Sequence, residues 1–256
     1  MFVIKLLHIG NFREGNMKFL YLDEVDSTNL YGKKHLDALD DKTVIVAKSQ
    51  TAGRGRLSRS WLDLGAGNLF VSVILKPSKV FDEKFANLTQ YLSVVLCKIL
   101  EEYSIKPEIK WPNDVLIDGK KIAGILSETV MQGVNFKGLV LGFGVNITAS
   151  ENDVKKVSDK AVTSLAIELK NCAPDAKEFL EKVLTLFFKE YNNFLDSGFE
   201  LIKHDYLKRA CFLEKEVCVQ VFNETKRGIA KSVDDSGALL LENNNEKFVL
   251  TIGDIL

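Results

Sequence analysis

The sequence lacks an excess of charge of either sign, lacks a hydrophobic run of membrane length, and lacks any cluster of cysteines or histidines; each gap removes a class of function. Lys and Arg total 34 against 35 Asp and Glu, a net charge of −1, so no global field draws the chain to nucleic acid or to an anionic membrane. Its apolar runs, such as Leu69 to Leu75 and Gly138 to Val145, are far shorter than the roughly 20 residues a membrane helix needs. Met1 to Ile9 carries one lysine and is followed by no small-residue cleavage site, so a secretory signal is not indicated and a cytoplasmic location is expected. Cys97, Cys172, Cys211 and Cys218 have no metal-type spacing, and His8, His35 and His204 are scattered. Buried free thiols, and no zinc site, are the expectation. There is no internal repeat and no low-complexity tract. A Gly-x-x-x-x-Gly-Lys-Ser/Thr loop is missing, which excludes a P-loop ATPase at the motif level. Gly142-Phe143-Gly144 lacks the third glycine and the following helix of a dinucleotide fingerprint.

What is present is the composition of an ordinary globular protein, 46% hydrophobic and 27% charged over 256 residues. That length suits one large domain, or a large and a small one. Residues Met1 to Asn16 read as a short extension, too few for a DNA-reading helix-turn-helix. Strands are predicted at Phe19 to Leu22, Thr43 to Ala47 and Leu69 to Leu75, with Pro77 closing the third. A helix opens near Ser27, because Asp26 and Ser27 are both good N-caps and Leu30 begins a helical stretch. Apolar residues at spacings of three and four from Phe85 to Ile99 predict a long amphipathic helix within Phe81 to Tyr103, ending before Pro107. Strand-like segments follow at Asp114 to Ile117, Lys121 to Thr129 and Lys137 to Ile147, with turns at Asp118-Gly119 and around Gln132-Gly133. A second helix is marked by Phe179, Leu180, Val183, Leu184, Phe187, Phe188 and Tyr191. Beyond Ala210, four or five short strands with turns at Asp235 to Gly237 and Asn243 to Asn245 suggest a small β-barrel.

Four segments could carry chemistry. In Gln50 to Trp61, Gly53 and Gly55 let backbone amides approach a ligand closely, while Arg54, Arg56 and Arg59 offer planar forks to a carboxylate or phosphate. Trp61 could cover an aromatic ring. A solvated basic loop and an RNA-binding arginine-glycine segment are the competing readings; the segment's brevity, its flanking strands and the near-neutral charge count against the second. In Lys110 to Val115, Asn113 can both donate and accept, and Asp114 beside a lysine could hold Mg²⁺ or orient a base, although such a segment is also an ordinary turn. In Gly119 to Glu128, Lys121 starts an apolar strand that Gly124 interrupts where a ligand could lie against the backbone; a lysine at a strand edge is more often simply solvated. Gly142 to Ile147 is the fourth.

Taken in order, Asp26-Ser27-Thr28-Asn29, the Gln50 to Trp61 loop, Lys110 to Val115, Gly119 to Glu128 and Gly142 to Ile147 resemble the motif series of the biotin protein ligases, over about Phe19 to Ile147. The resemblance implies an α+β catalytic domain with a mixed sheet, related to class II aminoacyl-tRNA synthetases, and a small C-terminal SH3-like β-barrel. The implied division is an extension over 1–17, a catalytic domain over 18–209 and the SH3-like domain over 210–256. The implied reaction uses ATP and Mg²⁺ to convert biotin to biotinyl-AMP, then transfers biotin to a lysine of a biotin carboxyl carrier protein domain of a biotin-dependent carboxylase. No nucleic-acid or membrane partner is implied, and the chain would be a monomer or homodimer.

By the same motif match, Ser27, Thr28, Asn29 and Gln50 would bind biotin's head, with Gly53 beside it and Gly124 beneath. Arg54, Arg56 and Lys121 would be the catalytic set that neutralises the carboxylate and α-phosphate. ATP would be bound by Arg56, Arg59, Trp61, Lys110, Asn113, Asp114 and Asn146, and Asp114 would hold Mg²⁺. Serine at position 58 stands where the family's loop usually has glycine, and implies strain of about 1 kcal/mol or more if that position needs φ > 0. A lipoate- or octanoate-activating ligase is the alternative, and the polar Ser27, Thr28 and Gln50 set counts against it. A biotin-sensing repressor would need a DNA-binding domain, for which no segment is expected.

Overall fold

The computed structural model describes residues 17–57, 59–78, 80–243 and 246–256. In chain order the strands and α-helices are β1 (Lys18–Val25), α1 (Thr28–Lys34), β2 (Thr43–Gln50), β3 (Leu69–Leu75), α2 (Leu88–Glu101), β4 (Pro107–Lys110), β5 (Asp114–Ile117), β6 (Lys120–Gln132) and β7 (Asn135–Val145). There follow α3 (Glu151–Val154), α4 (Leu165–Glu168), α5 (Ala176–Lys189), α6 (Tyr191–Ser197), α7 (Lys203–Arg209), β8 (Glu216–Val221), β9 (Glu224–Val233), β10 (Leu239–Asn243), β11 (Glu246–Leu250) and β12 (Asp254–Ile255). Packing divides the chain into two units: the residues up to Asp82 with Lys120–Thr185, and Glu83–Gly119 with Leu186–Leu256. Among the described residues no helix is long and apolar enough to cross a membrane.

In the first unit the strands run in the order β1-β2-β3-β7-β6. β1 and β2 are parallel, and the remaining neighbours are antiparallel, so the sheet is mixed and the fold is α+β. β3 is buried along its whole length and β7 along nearly all of it. That explains why Leu69 to Leu75 reads as a continuous apolar run and shows no alternation: both faces are covered. One face packs on α1, whose Gly32 comes so close that a methyl group there would sit 3.0 Å from both Ile74 and Val140. α1 starts where Ser27 predicts it, with the Ser27 side chain accepting from the Leu30 amide. Lys33 and Lys34 in its last turn suit the negative end of its dipole. The turn between β6 and β7 is the two-residue loop Gly133-Val134, with Gly133 at φ +59°.

In the second unit α2 is buried on almost every side. The predicted helix over Phe81 to Tyr103 is shorter in the structure, because residues 83–87 form a 3₁₀ turn before α2 begins at Leu88. Pro107 does not merely end a helix; it opens β4, which pairs antiparallel with β5. Residues 111–113 form the turn of that hairpin, and the Trp111–Pro112 bond is cis. Asp118 and Gly119 are both left-handed, at φ +48° and +73°, the tight-turn chemistry their sequence predicts. The C-terminal strands form a five-stranded antiparallel sheet in the order β11-β10-β9-β8-β12. Its Asp234 carboxylate accepts from the Ser236 and Ala238 amides and the Ser236 hydroxyl, closing the predicted turn around Gly237 at φ +81°. The predicted turn at Asn243 to Asn245 falls partly outside the described residues.

Candidate functional site

The residues expected to bind a ligand head meet at one end of α1. Gln50, the last residue of β2, accepts from the Thr28 amide at 2.8 Å and stands 3.2 Å from the Thr28 hydroxyl, both through Oε1. Its amide nitrogen is thereby turned toward Gly53, where a methyl group would lie 3.0 Å from Nε2 and 2.4 Å from the Trp61 carbonyl. Glycine at position 53 is therefore required by space, because the chain returning at Trp61 donates its own amide to the Gly53 carbonyl at 3.0 Å. That bond, the Gly55 to Arg59 bond and the Arg54–Ser60 bridge fold the arginine segment back on itself. Arg54 is half-exposed and has its guanidinium 3.8 Å from Glu128. Ser58 lies outside the described residues.

Beneath this hairpin the sheet is floored by two glycines that face one another across β6 and β7, Gly124 and Gly144. The Trp61 indole rests on them: a methyl group on Gly144 would come within 2.4 Å of Cε2, and one on Gly124 within 2.8 Å of Cζ3. The indole nitrogen is buried with no hydrogen-bond partner, so it remains an available donor. The Lys121 ammonium stands 5.4 Å from the centre of the Trp61 ring, within cation–π range. The Lys121 backbone is tied to residues 161–163 by bonds to Ala161 and from Thr163. Trp61, Lys121 and Asn146 line one cavity of about 300 Å³, whose far wall is Lys156 to Lys160 with Val162. The sequence reading missed that wall, since a short stretch mixing lysine, serine and aspartate looks like solvated loop. Asn146 donates to the Thr163 carbonyl at 3.0 Å, which holds it at the cavity edge.

Asn29, expected to touch ligand, also makes three hydrogen bonds within the protein. Its nitrogen donates to Leu126 O at 3.2 Å and Glu128 Oε2 at 3.0 Å, and its oxygen accepts from Ser72 at 2.6 Å. A methyl group on Gly142 would lie 2.0 Å from that oxygen. Ser72, wholly buried, was not singled out in the sequence; a small residue inside Leu69 to Leu75 reads as filler. Glu128 also accepts from Lys33 at 2.8 Å. Burial pushes its carboxyl up, but hydrogen bonds from Lys33 and Asn29 and the charges of Lys33 and Arg54 outweigh this and hold it below the usual carboxylate range.

Ser27, Thr28, Gln50, Gly53, Arg54, Arg56, Arg59, Trp61, Lys121, Gly124 and Asn146 all belong to the first unit. Lys110, Asn113 and Asp114 belong to the second, at the β4–β5 turn, with Asp114 paired in register with Lys110. Among the described residues there is no group of three or more histidine, cysteine or acidic side chains that could cage a metal.

Residues 20–146 match the model of the biotin/lipoate A/B protein ligase family. The chain is 34% identical over 203 residues to the bifunctional ligase/repressor BirA of Bacillus subtilis, covering 79% of this chain and 62% of that protein. It therefore spans less than two thirds of that relative's length. It is 31% identical to the biotin–acetyl-CoA-carboxylase ligase of Paracoccus denitrificans, covering 91% of this chain and 98% of the relative. Among solved structures, the biotin protein ligase of Aquifex aeolicus in complex with biotin and ATP superposes with a TM-score of 0.78 at 27% identity, covering 93% of this chain and 97% of that one.

Proposed function

The chain belongs to the biotin protein ligase family, and we propose that it activates biotin with ATP and transfers it to a lysine of a carrier protein domain. The observation that carries this reading is the pairing of two environments in the first unit. Thr28, Gln50 and Gly53 form a polar end suited to a cyclic urea. Trp61, Lys121 and Asn146 line a cavity of about 300 Å³, a volume of the kind that takes a small ligand. The Aquifex aeolicus structure of the same fold holds both biotin and ATP. A lipoate or octanoate would leave the polar end unmatched, which costs affinity wherever buried donors and acceptors lose water without gaining partners.

In the reaction, a biotin carboxylate oxygen attacks the α-phosphorus of ATP, pyrophosphate leaves, and the acyl-adenylate forms. The carrier lysine amine then attacks the acyl carbon, AMP leaves, and an amide remains. Two anions must meet in the first step, so the chief need is charge neutralisation at fixed points. Lys121, held by its backbone ties to Ala161 and Thr163, is assigned to bridge the carboxylate and α-phosphate. Arg54 and Arg56 are assigned to the carboxylate and phosphate region, and Arg59 to the nucleotide phosphates. Ser27, Thr28 and Gln50 take the urea, the Gln50 amide nitrogen donating to its carbonyl, and Gly124 lies beneath biotin. Trp61 and Asn146 border the nucleotide, and the folded arginine segment with Trp61 excludes water from an intermediate that water would hydrolyse. Asn29 serves as support for Thr28.

The family pattern assigns Lys110, Asn113 and Asp114 to ATP. A single protein carboxylate, here Asp114, is enough for Mg²⁺, which takes most of its ligands from phosphate oxygens and water; bound there, the ion would neutralise phosphate charge. The wider reading includes kinship of the mixed sheet with class II synthetases, closure of the C-terminal sheet as an SH3-like barrel over 210–256, and a carboxylase carrier domain as acceptor. The direct test is incubation with ATP, Mg²⁺, labelled biotin and an apo carrier domain. Label is expected on the carrier lysine; absence of transfer by folded protein would sink the proposal.

A further inference from the structure

A chain of buried side chains runs beneath the polar end of the site, and counting its protons gives it a direction. Glu128 is a carboxylate and only accepts, from Lys33 at 2.8 Å and Asn29 Nδ2 at 3.0 Å. Asn29 Nδ2 also faces the Leu126 carbonyl at 3.2 Å. Two acceptors at one end settle the orientation of the amide, so Oδ1 lies at the other end, 2.6 Å from Ser72 Oγ. An amide oxygen cannot donate, so the single Ser72 proton is used there. Ser72 Oγ is also 2.8 Å from Thr28 Oγ1, and that bond must then carry the Thr28 proton. The competing acceptor for it, Gln50 Oε1, is farther at 3.2 Å and already takes the Thr28 amide at 2.8 Å. Thr28, Asn29 and Ser72 are all at most 4% exposed, so water does not scramble the order.

We infer that Ser72 and Asn29 are positioning residues that point the Thr28 hydroxyl proton inward, so that Thr28 meets a ligand only as an acceptor and demands an N–H from it. The inference rests on the biotin reading above and deepens it, because it states which ring atom the site selects. With Thr28 accepting and the Gln50 amide nitrogen donating, the polar end matches a urea and mismatches a ring that places oxygen or sulfur against Thr28.

The probes are biotin and the two cyclic carbamates in which one or the other ring N–H is replaced by oxygen, with Kd measured by calorimetry on the full chain. At least one carbamate is expected to bind wild type on the order of 100-fold more weakly than biotin, since a site built to receive an N–H rejects its replacement strongly. Ser72→Ala frees the Thr28 proton, and the penalty should fall below about tenfold. Asn29→Ala lets the Ser72 proton turn to Thr28, drives the Thr28 proton outward, and should shrink the penalty further; it carries the test where Ser72→Ala does not fold. Thermal unfolding alone does not decide the matter: a folded variant that loses stability yet keeps the wild-type biotin-to-carbamate ratio overturns the inference. Equal binding of biotin and both carbamates by wild type overturns it without any variant. A wild type that binds no biotin removes the underlying reading, a result distinct from either of these.

Discussion

Lys121 shows what a single side chain is asked to do. Its backbone is fixed by bonds to Ala161 and from Thr163, and its ammonium stands over the Trp61 ring at 5.4 Å. The position is therefore preset while the charge remains near the cavity. Lys121→Ala is expected to slow pyrophosphate release from ATP and biotin by about 10²–10³-fold, the usual cost of one preorganised stabilising group. The melting midpoint should fall only slightly, because a partly exposed side chain is removed and its contact with the Trp61 ring is worth about 0.5–1 kcal/mol. Turnover equal to wild type would withdraw the assigned role. In the sequence, this lysine differs in no way from a solvated strand-edge lysine; the motif series marked it, and its spacing did not. Thr28 and Gln50 were legible in the same way. Ser72 was not, since its significance lies in the Asn29 oxygen and Thr28 hydroxyl it meets across more than forty residues. The hydrogen bonds of Asn29 to Leu126, Glu128 and Ser72 were not legible, because no local pattern says which way an amide points.

Among the elements, β7 is the most constrained, with glycines at 142 and 144 facing different neighbours. A methyl group on Gly144 would lie 2.4 Å from the Trp61 indole, and one on Gly142 would lie 2.0 Å from the Asn29 oxygen. Gly144→Ala is expected to displace the indole, visible as a change in tryptophan fluorescence, and to weaken biotin binding at least tenfold with a modest loss of stability. Gly142→Ala pushes against a hydrogen-bonded amide buried on both sides, and about 1–3 kcal/mol of stability should be lost, the typical cost of overpacking; urea denaturation reads it directly. An unchanged midpoint for Gly142→Ala would mean that Asn29 is not held as described. The segment Gly142 to Ile147 could be read as glycine-rich but not as a floor, because the partner that fills the space, Trp61, arrives from the loop between β2 and β3. The uninterrupted apolar run of β3 and the helical periodicity of α5 were plain in the sequence. The short β4, α3 and α4 were not, since four residues carry too little periodicity and are fixed by partners elsewhere, as Cys211 fixes Ile109 through a backbone bond.

On the scale of the whole molecule, each unit is built from two separated chain segments, a grouping that composition along the chain cannot reveal. The second unit joins its segments partly through Arg209, whose side chain is 7% exposed and whose guanidinium bonds both Glu101 oxygens at 2.7 and 2.8 Å. Asp205 adds a third carboxylate contact at 3.3 Å. The Arg209 hydrogen bonds hold the Glu101 carboxyl below its usual range, against the opposing effect of burial. Asp205 and Asp234 are lowered too, their hydrogen bonds and neighbouring lysines outweighing burial, as is Glu128 in the first unit. A carboxyl whose folded pKa is depressed stabilises the fold fully above its unfolded pKa, and that contribution is lost as pH falls through the folded value. Stability should thus be flat near neutral pH and decline below about pH 4–5, where unfolded carboxyls begin to bind protons. Glu101→Gln removes the charge but keeps a hydrogen-bonding side chain; because the Glu101 side chain is 40% exposed, solvent screening holds the cost at pH 7 to about 1 kcal/mol. Urea unfolding of wild type and Glu101→Gln at pH 7 and pH 3 separates this ion pair from the other carboxylates. The gap between the two proteins should narrow at pH 3, because protonation of Glu101 in the unfolded wild type then favours unfolding and erodes the ion pair's contribution; a gap of constant size would show that the Arg209 pair does not carry the acid sensitivity.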